Sequence, residues 1–170
     1  MGREGCDERA NGMIVNGKTL LKYAPIKDML DHKVRGEVTS HGLSEAGYDI
    51  RLKQDVRFTQ NDVIVDGLSK SGRFTLASAI ELFDMPKNMV GIVHDKSTWA
   101  RRGLSVFNTC IEPSWRGYLT LELVYHGKGE LVLPAGCGIA QVLFHFTLND
   151  AEYKGKYQNQ EDRPVGSING

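Results

Sequence analysis

The segment YLTLELVYH, at residues 118–126, decides the fold because its side chains alternate between two classes. Successive side chains of a β-strand point to opposite faces, so leucines at every second position share one face. One face would carry Leu119, Leu121 and Leu123, and the other would carry Thr120, Glu122 and Val124. The alternation therefore predicts a β-strand with one strongly apolar face and a carboxylate on the other.

Similar segments recur on both sides of this strand. After Gly36, stretches rich in β-branched and aromatic residues are separated by Gly, Asn, Asp and Pro at intervals of about ten residues. The candidate strands are 48–52, 56–60, 62–66, 74–83, 89–95, 104–109, 118–126, 129–134 and 138–146. This series, with little helix, predicts an all-β barrel or sandwich.

The ends of the chain differ from this pattern. Residues 1–12 are polar and predict a flexible N-terminus, while residues 13–148 are expected to form one domain. Within that domain, residues 19–31 predict one or two short helices, because Pro25 can occupy the first turn of a second helix. Residues 149–170 are polar and glycine-bearing, which predicts a mobile tail, and such tails often act as lids.

Composition excludes several classes of function. The 21 basic and 21 acidic residues cancel, so no global field recruits a nucleic acid or an anionic membrane. The three cysteines are Cys6, Cys110 and Cys137, and their spacing favours neither a disulfide framework nor a structural zinc site. The five histidines likewise show no metal-ligand spacing. Without an apolar run of membrane-spanning length or a signal-peptide pattern, the chain is expected to be cytoplasmic.

A basic segment, HDKSTWARRGL at residues 94–104, lies between two predicted strands. Its Lys96, Ser97, Arg101 and Arg102 could neutralise and hydrogen-bond a polyphosphate. A solvated basic turn would have the same composition. The segment alone therefore predicts either a phosphate-binding loop or an ordinary surface turn.

Two glutamates follow in the segment NTCIEPSWRGYLTLELVYHG, at residues 108–127. Glu112 precedes a turn at Pro113, and the turn leaves its position relative to Glu122 open. Glu122 lies within an otherwise apolar strand. It would either face solvent on the outer side of a sheet or be a buried group whose pKa is raised for proton transfer.

Four strings in this order carry a family resemblance: KSTWARRGL (96–104), IEPSWRGYLTLE (111–122), PAGCGIAQVLF (134–144) and KYQNQ (156–160). Together with GYDIRL (47–52), they resemble the dCTP deaminase branch of the deoxyuridine triphosphatase (dUTPase) superfamily. The resemblance covers about residues 40–165. It implies a β-clip fold, a distorted dUTPase-like barrel, assembled as a homotrimer with active sites between subunits and a C-terminal tail that closes over the nucleotide.

The resemblance also implies roles for individual residues. The phosphate loop would be Lys96, Ser97, Thr98, Trp99, Ala100 and Arg101, with Ser97 and Arg101 in the catalytic set. Glu112 would lie at the deoxyribose, Gln141 at a phosphate, and Thr120, Leu121 and Glu122 at the base. The tail would close through Tyr153, Lys156 and Gln160. Expected ligands are dCTP or dUTP with Mg²⁺ on the triphosphate, and the sequence leaves open whether dTTP inhibits.

The implied reaction is deamination of dCTP with Glu122 as general acid and base. Hydrolysis at C4 of cytosine needs a proton removed from water and protons delivered to the ring and to ammonia, which one carboxylate can shuttle. Other nucleobase deaminases use zinc bound by H-x-E and P-C-x-x-C motifs. This sequence contains neither motif, so the expected reaction is independent of zinc.

Two positions depart from the family pattern. Lys96 stands where the family has an arginine, and NTCIE (108–112) is shorter than the T-A-x-x-I-D segment of deaminases and resembles the G-V-I-D hairpin of dUTPases. Three functions stay open. They are a dCTP deaminase, either simple or continuing to dUMP and pyrophosphate; a dUTPase in which Glu112 activates water with magnesium; and a non-catalytic nucleotide-binding regulator.

Overall fold

Residues 118–125 lie in a long strand, β12 (Arg116–Tyr125), in the computed structural model of the chain. Its leucines are buried, with exposed fractions of 7% for Leu119, 1% for Leu121 and 0% for Leu123. The structure describes residues 13–107 and 109–169. The flexible terminus predicted for residues 1–12 lies outside these ranges.

The described residues are mostly β, as the sequence predicts. The helices are α1 (Gly17–Tyr23) and α2 (Ser97–Ala100). The first strands are β1 (Ile14–Val15), β2 (Lys33–Val34), β3 (His41–Leu43), β4 (Tyr48–Arg51), β5 (Val56–Phe58), β6 (Asp62–Val65) and β7 (Leu68–Ser71). The remaining strands are β8 (Phe74–Asp84), β9 (Met89–Asp95), β10 (Leu104–Val106), β11 (Cys110–Ile111), β12, β13 (Leu131–Leu133) and β14 (Gly138–Phe146).

Within the described ranges these strands form three sheets. The largest has the order β11-β9-β14-β4-β3-β2, and β1 also pairs with β14. A second sheet has the order β10-β12-β8, and a third has the order β13-β5-β6-β7. An isolated bridge between Leu52 and Ala79 connects the end of β4 with β8. The apolar faces of all three sheets meet in one core, where Tyr48, Phe58 and Phe83 are fully buried.

All nine predicted strands are present, and most of them are shorter than predicted. The strands that the sequence analysis missed are short, and β7 shows why, because none of its four residues is buried. A strand without an apolar face gives no alternation to detect. The dipeptide Asp66–Gly67 was the available signal, since both residues have positive φ, 47° and 81°, as a two-residue hairpin turn requires.

Of the one or two short helices predicted for residues 19–31, α1 is present, and no second helix begins at Pro25. Ile26 instead forms a bridge with Phe83 of β8, and the N–H of Lys27 donates to the carbonyl of Leu82 at 2.9 Å. The carbonyl of Pro25 accepts from the N–H of Asp84 at 2.8 Å. The edge of β8 therefore binds this backbone in an extended form. No helix in the described part of the chain is long and apolar enough to cross a membrane.

Candidate active site

A pocket of about 460 Å³ opens against the face of β12 that carries Glu122. Five of the residues predicted for the site line it, namely Glu112, Thr120, Glu122, Tyr153 and Gln160. Its walls come from β8, β11, β12 and the C-terminal tail. The structure thus brings together Thr120 and Glu122 from the residues assigned to the base, Glu112 from the sugar, and Tyr153 and Gln160 from the tail.

Glu122 lies in this pocket beside an apolar wall. Its neighbour across the sheet is Leu76 of β8, and both Leu76 and Phe74 line the pocket. Burial raises the pKa of the Glu122 carboxyl, because the charged form loses solvation there. None of the described lysines, arginines or histidines forms an ion pair with it. The sequence left open a solvent-facing or a buried Glu122, and the side chain is half-buried in the pocket.

An irregularity in β12 helps to shape the pocket. The pairing of β12 with β8 shifts register between Tyr118 and Thr120. Leu119, Thr120 and Glu122 all line the pocket. In a regular strand the consecutive side chains of Leu119 and Thr120 would point to opposite faces of the sheet. The register shift could not be read from the sequence alternation.

Glu112 lies in the turn that joins β11 to β12. The carbonyl of Glu112 accepts from the N–H of Trp115 at 3.1 Å, and Ser114 within the turn has a positive φ of 62°. The Glu112 side chain is exposed to solvent while lining the pocket. Burial, and to a lesser degree the nearby Glu112 charge, raise the pKa of the Cys110 thiol, which keeps this pocket cysteine protonated.

The C-terminal tail lies over the pocket and is hydrogen-bonded to β12. The side-chain amide of Gln160 donates to the carbonyl of Tyr118 at 2.9 Å and to the hydroxyl of Thr120 at 2.6 Å. The tail backbone also runs beside β12 at Gly117, which pairs with Gln160 in a parallel bridge. A Cβ at Gly117 would lie 2.6 Å from the Gln160 nitrogen, so only glycine permits this approach.

The middle of the tail is held by the turn after β11. The indole N–H of Trp115 donates to the carbonyl of Tyr157 at 2.7 Å, and the hydroxyl of Ser114 accepts from the N–H of Tyr153 at 2.9 Å. The tail contributes Tyr157, Val165, Gly166 and Ser167 to the pocket, and the sequence analysis did not single these out. Tyr157 lies inside the KYQNQ string, so the string itself was the available signal. Lys156 is exposed and lies outside the pocket lining, and its ammonium contacts the carbonyl of Ile168.

The predicted phosphate loop (residues 96–101) lies outside the pocket lining. It forms α2 and its two caps, with Ser97, Thr98, Ala100 and Arg101 exposed. Trp99 is buried and its indole N–H donates to the carbonyl of Gly138 at 2.8 Å, which anchors the loop to β14.

Lys96 at the start of this loop forms an ion pair with Asp49 of β4. The ammonium lies 2.5 Å from the carboxylate, and the two side chains are 12% and 5% exposed. A buried lysine needs such a partner, because an unpaired charge there would lose its solvation. Most of the Lys96 charge is therefore balanced within the chain.

Two further predicted residues lie outside the pocket lining. Gln141 of β14 is half-buried and donates to the hydroxyl of Ser44 at 2.9 Å. Leu121 is 1% exposed and packs in the core on the opposite face of β12. The described residues contain no cluster of three histidine, cysteine or acidic side chains arranged to hold a metal ion.

Solved structures define the class of protein to which this fold belongs. The dUTPase of EIAV matches with a TM-score of 0.51 and 19% identity, covering 78% of this chain and 91% of that one. The 2′-deoxycytidine 5′-triphosphate deaminase of Agrobacterium tumefaciens matches with a TM-score of 0.56 and 12% identity, covering 81% of this chain and 51% of that one. A D95N dUTPase from phage phi11 of S. aureus, which coordinates a structural Mg(II) ion, matches with a TM-score of 0.51 and 13% identity, over 66% and 84% of the two chains. The fold is therefore dUTPase-like, as predicted.

Sequence similarity narrows the class to a family. A family described as dCTP deaminase-like matches residues 67–147. The dCTP deaminase of Herpetosiphon aurantiacus is 36% identical, over 82% of this chain and 88% of its own length. That of Roseiflexus castenholzii is 35% identical over the same shares. The chain belongs to the dCTP deaminase family, which confirms the resemblance seen in the motifs.

Proposed function

We propose that the chain hydrolyses dCTP to dUTP and ammonia without zinc, using Glu122 as general acid and base. The Glu122 carboxyl carries this proposal. It lines a pocket that the C-terminal tail covers, its pKa is raised by burial, and it forms no ion pair with a described residue. A carboxyl with these properties can both accept and return a proton. Membership in the dCTP deaminase family supports the choice of cytosine as the base.

The proton transfers follow from this assignment. Water attacks C4 of cytosine while Glu122 takes one of its protons, and the protonated carboxyl then donates to N3 of the ring. The second proton of the attacking oxygen reaches the departing amino group through the same carboxylate, so ammonia leaves and the C4 carbonyl of uracil forms. Phe74 and Leu76 limit the solvation of the carboxylate and so keep its basicity high.

The triphosphate would be bound by a second copy of the chain. Ser97, Arg101 and Gln141 lie outside the lining of the pocket that contains Glu122, so one copy does not offer base and phosphate groups in one cavity. A homotrimer that places the phosphate loop of one copy at the pocket of another would complete the site. Magnesium enters as part of the substrate, on the phosphate oxygens.

Glu112 supports a second activity, hydrolysis of dUTP to dUMP and pyrophosphate. Its carboxylate is exposed at the pocket, and it follows the shortened segment that resembles the dUTPase hairpin. An exposed carboxylate can orient a water toward the α-phosphorus of a magnesium-bound triphosphate. A bifunctional enzyme would use Glu122 and Glu112 in succession.

Separate measurement of the two products tests the proposal. Purified protein is incubated with magnesium and either dCTP or dUTP, with and without dTTP, and ammonia and pyrophosphate are followed independently. Ammonia from dCTP is expected, and pyrophosphate from either nucleotide would add the second activity. Turnover of dUTP without any ammonia from dCTP would make the chain a dUTPase, and tight binding without turnover would make it a nucleotide-binding regulator.

Subunit mixing tests the shared site. Glu122→Gln and Arg101→Ala variants should each be inactive alone, and co-expression should restore part of the activity, because some sites combine intact residues from two copies. Co-expression of Glu122→Gln with the double variant Glu122→Gln/Arg101→Ala is the matched control and should restore none. Equal activity in both mixtures, or a monomer in sedimentation, would contradict an intersubunit site.

A further inference from the structure

The Thr120 side chain has a set of contacts that the proposed chemistry does not use. It lies on β12 two residues before Glu122, is 8% exposed and lines the pocket. Its hydroxyl oxygen accepts from the side-chain amide of Gln160 at 2.6 Å and from the backbone N–H of Val165 at 3.0 Å. Both donors belong to the C-terminal tail.

The orientation of the Gln160 amide makes these contacts unambiguous. Its nitrogen also donates to the carbonyl of Tyr118 at 2.9 Å, and a carbonyl can only accept. The amino group of Gln160 must therefore face β12, and Thr120 must accept from it. A hydroxyl has two acceptor lone pairs and one donor, so the tail occupies the whole acceptor capacity of Thr120.

We propose that Thr120 is a positioning residue that latches the C-terminal tail over the pocket. The two hydrogen bonds hold Gln160 and Val165, and thereby keep Gly166 and Ser167 in the pocket wall. The latch lies on the same strand as Glu122, so docking of the tail encloses the carboxylate. Its effect on turnover rests on the proposed function, whereas the docking itself does not.

Amide hydrogen exchange of the full-length protein without nucleotide tests the docking directly. Thr120→Val keeps the shape of the side chain and removes the hydroxyl oxygen that accepts both hydrogen bonds. Amide hydrogen exchange at Val165 should therefore become about tenfold faster. Thr120→Ser should keep most of the protection. Thr75→Val is the matched control: Thr75 is a buried threonine of β8 whose hydroxyl donates to Leu76, and it should leave Val165 unchanged. Equal protection in the Thr120→Val and wild-type proteins would overturn the latch.

Turnover of dCTP then distinguishes a latch from a direct base contact. Thr120→Val should lower kcat/KM about tenfold, and Thr120→Ser should restore most of the loss. Gln160→Ala should cause a similar loss. Combining Thr120→Val with Gln160→Ala should cost much less than the product of the two single losses, because both remove one shared bond. Fully multiplicative losses would overturn action through the tail. A wild-type protein that releases no ammonia would instead refute the proposed function. The amide exchange rate of Val165 in the Thr120→Val variant would then still test whether Thr120 holds the tail.

Discussion

The pocket around Glu122 and the phosphate loop at residues 96–101 are built in opposite ways. The pocket is walled by strands, by a turn and by the tail of the same chain, and its carboxylate is half-buried. The loop presents Ser97 and Arg101 to solvent on a helix of four residues. One chain thus encloses the groups that we propose act on the base and leaves exposed those that we propose bind the triphosphate.

The difference follows from the charge that each region must handle. A carboxylate gains basicity from an apolar wall, so the pocket benefits from closure before the substrate arrives. Guanidinium and hydroxyl groups bind a triphosphate by direct contact and need an open approach. Within the loop Lys96 is already paired with Asp49, so the exposed polar side chains available to an anion are Ser97, Thr98 and Arg101.

The largest expected effect is on the chemistry of the pocket. Glu122→Gln should lower kcat for ammonia release by about 10³-fold, because the amide cannot shuttle protons, while dCTP binding stays within a few-fold of wild type. Ammonia release and equilibrium dCTP binding are measured in parallel. Glu130→Gln, an exposed glutamate paired with Arg57, is the control and should behave as wild type. A variant at Glu122 with near-normal turnover would remove that residue from the chemistry.

A smaller effect is expected at the phosphate loop. Arg101→Lys keeps the charge but loses the planar fork that binds two phosphate oxygens, so KM for dCTP should rise about 10- to 30-fold with a lesser change in kcat. Arg57→Lys, at an exposed arginine of β5 that lies outside the loop and the pocket lining, is the matched control and should leave KM unchanged. An unchanged KM in Arg101→Lys would show that the loop does not bind the triphosphate.

Displacing the C-terminal tail tests whether the pocket around Glu122 needs this cover for turnover. An alanine Cβ at Gly117 would clash with the Gln160 backbone, and the positive φ of 151° at Gly117 disfavours any side chain. Gly117→Ala should lower kcat/KM for dCTP about tenfold, because the clash displaces the tail from the pocket. Gly129→Ala, where a Cβ meets nothing within 4 Å, should be silent. Full activity in Gly117→Ala would mean that the docked tail is dispensable.

The smallest expected effect is on stability and has a defined dependence on pH. Burial raises the pKa of Glu122 in the folded state, so this carboxyl favours folding below its unfolded pKa and loses that advantage as the pH rises. At pH 7 Glu122→Gln should therefore raise the thermal midpoint by roughly 2 °C. The gain should vanish near pH 4, where both side chains are neutral. A midpoint difference that is constant from pH 4 to pH 8 would contradict a desolvated carboxylate.

Much of the fold could be predicted because alternation reports burial on one face. Strands such as β12 and β14 carry that signal, whereas β7 is exposed throughout and carries none. The extended backbone at Ile26 depends on pairing with Phe83, a contact 57 residues away in the chain, which a local helical pattern does not contain.

The candidate site was predicted from the ordered motifs, and there is a physical reason why some of its contacts could not be. Glu122 and Gln160 were placed by their strings, and they do line one pocket. The role of Thr120 as an acceptor for the tail depends on a contact across 40 residues of sequence, which no local pattern reports. Pairing of Lys96 with Asp49 is likewise a contact between distant segments.

The attachment of the tail to β12 of its own chain also fixes the kinetic order of closure. Gln160 and Val165 reach Thr120 through the connecting polypeptide, so their effective concentration is set by the length of that segment and not by the amount of enzyme in solution. Closing and reopening are then first-order events. Diluting the protein can separate subunits, but it leaves the frequency with which each pocket is covered unchanged.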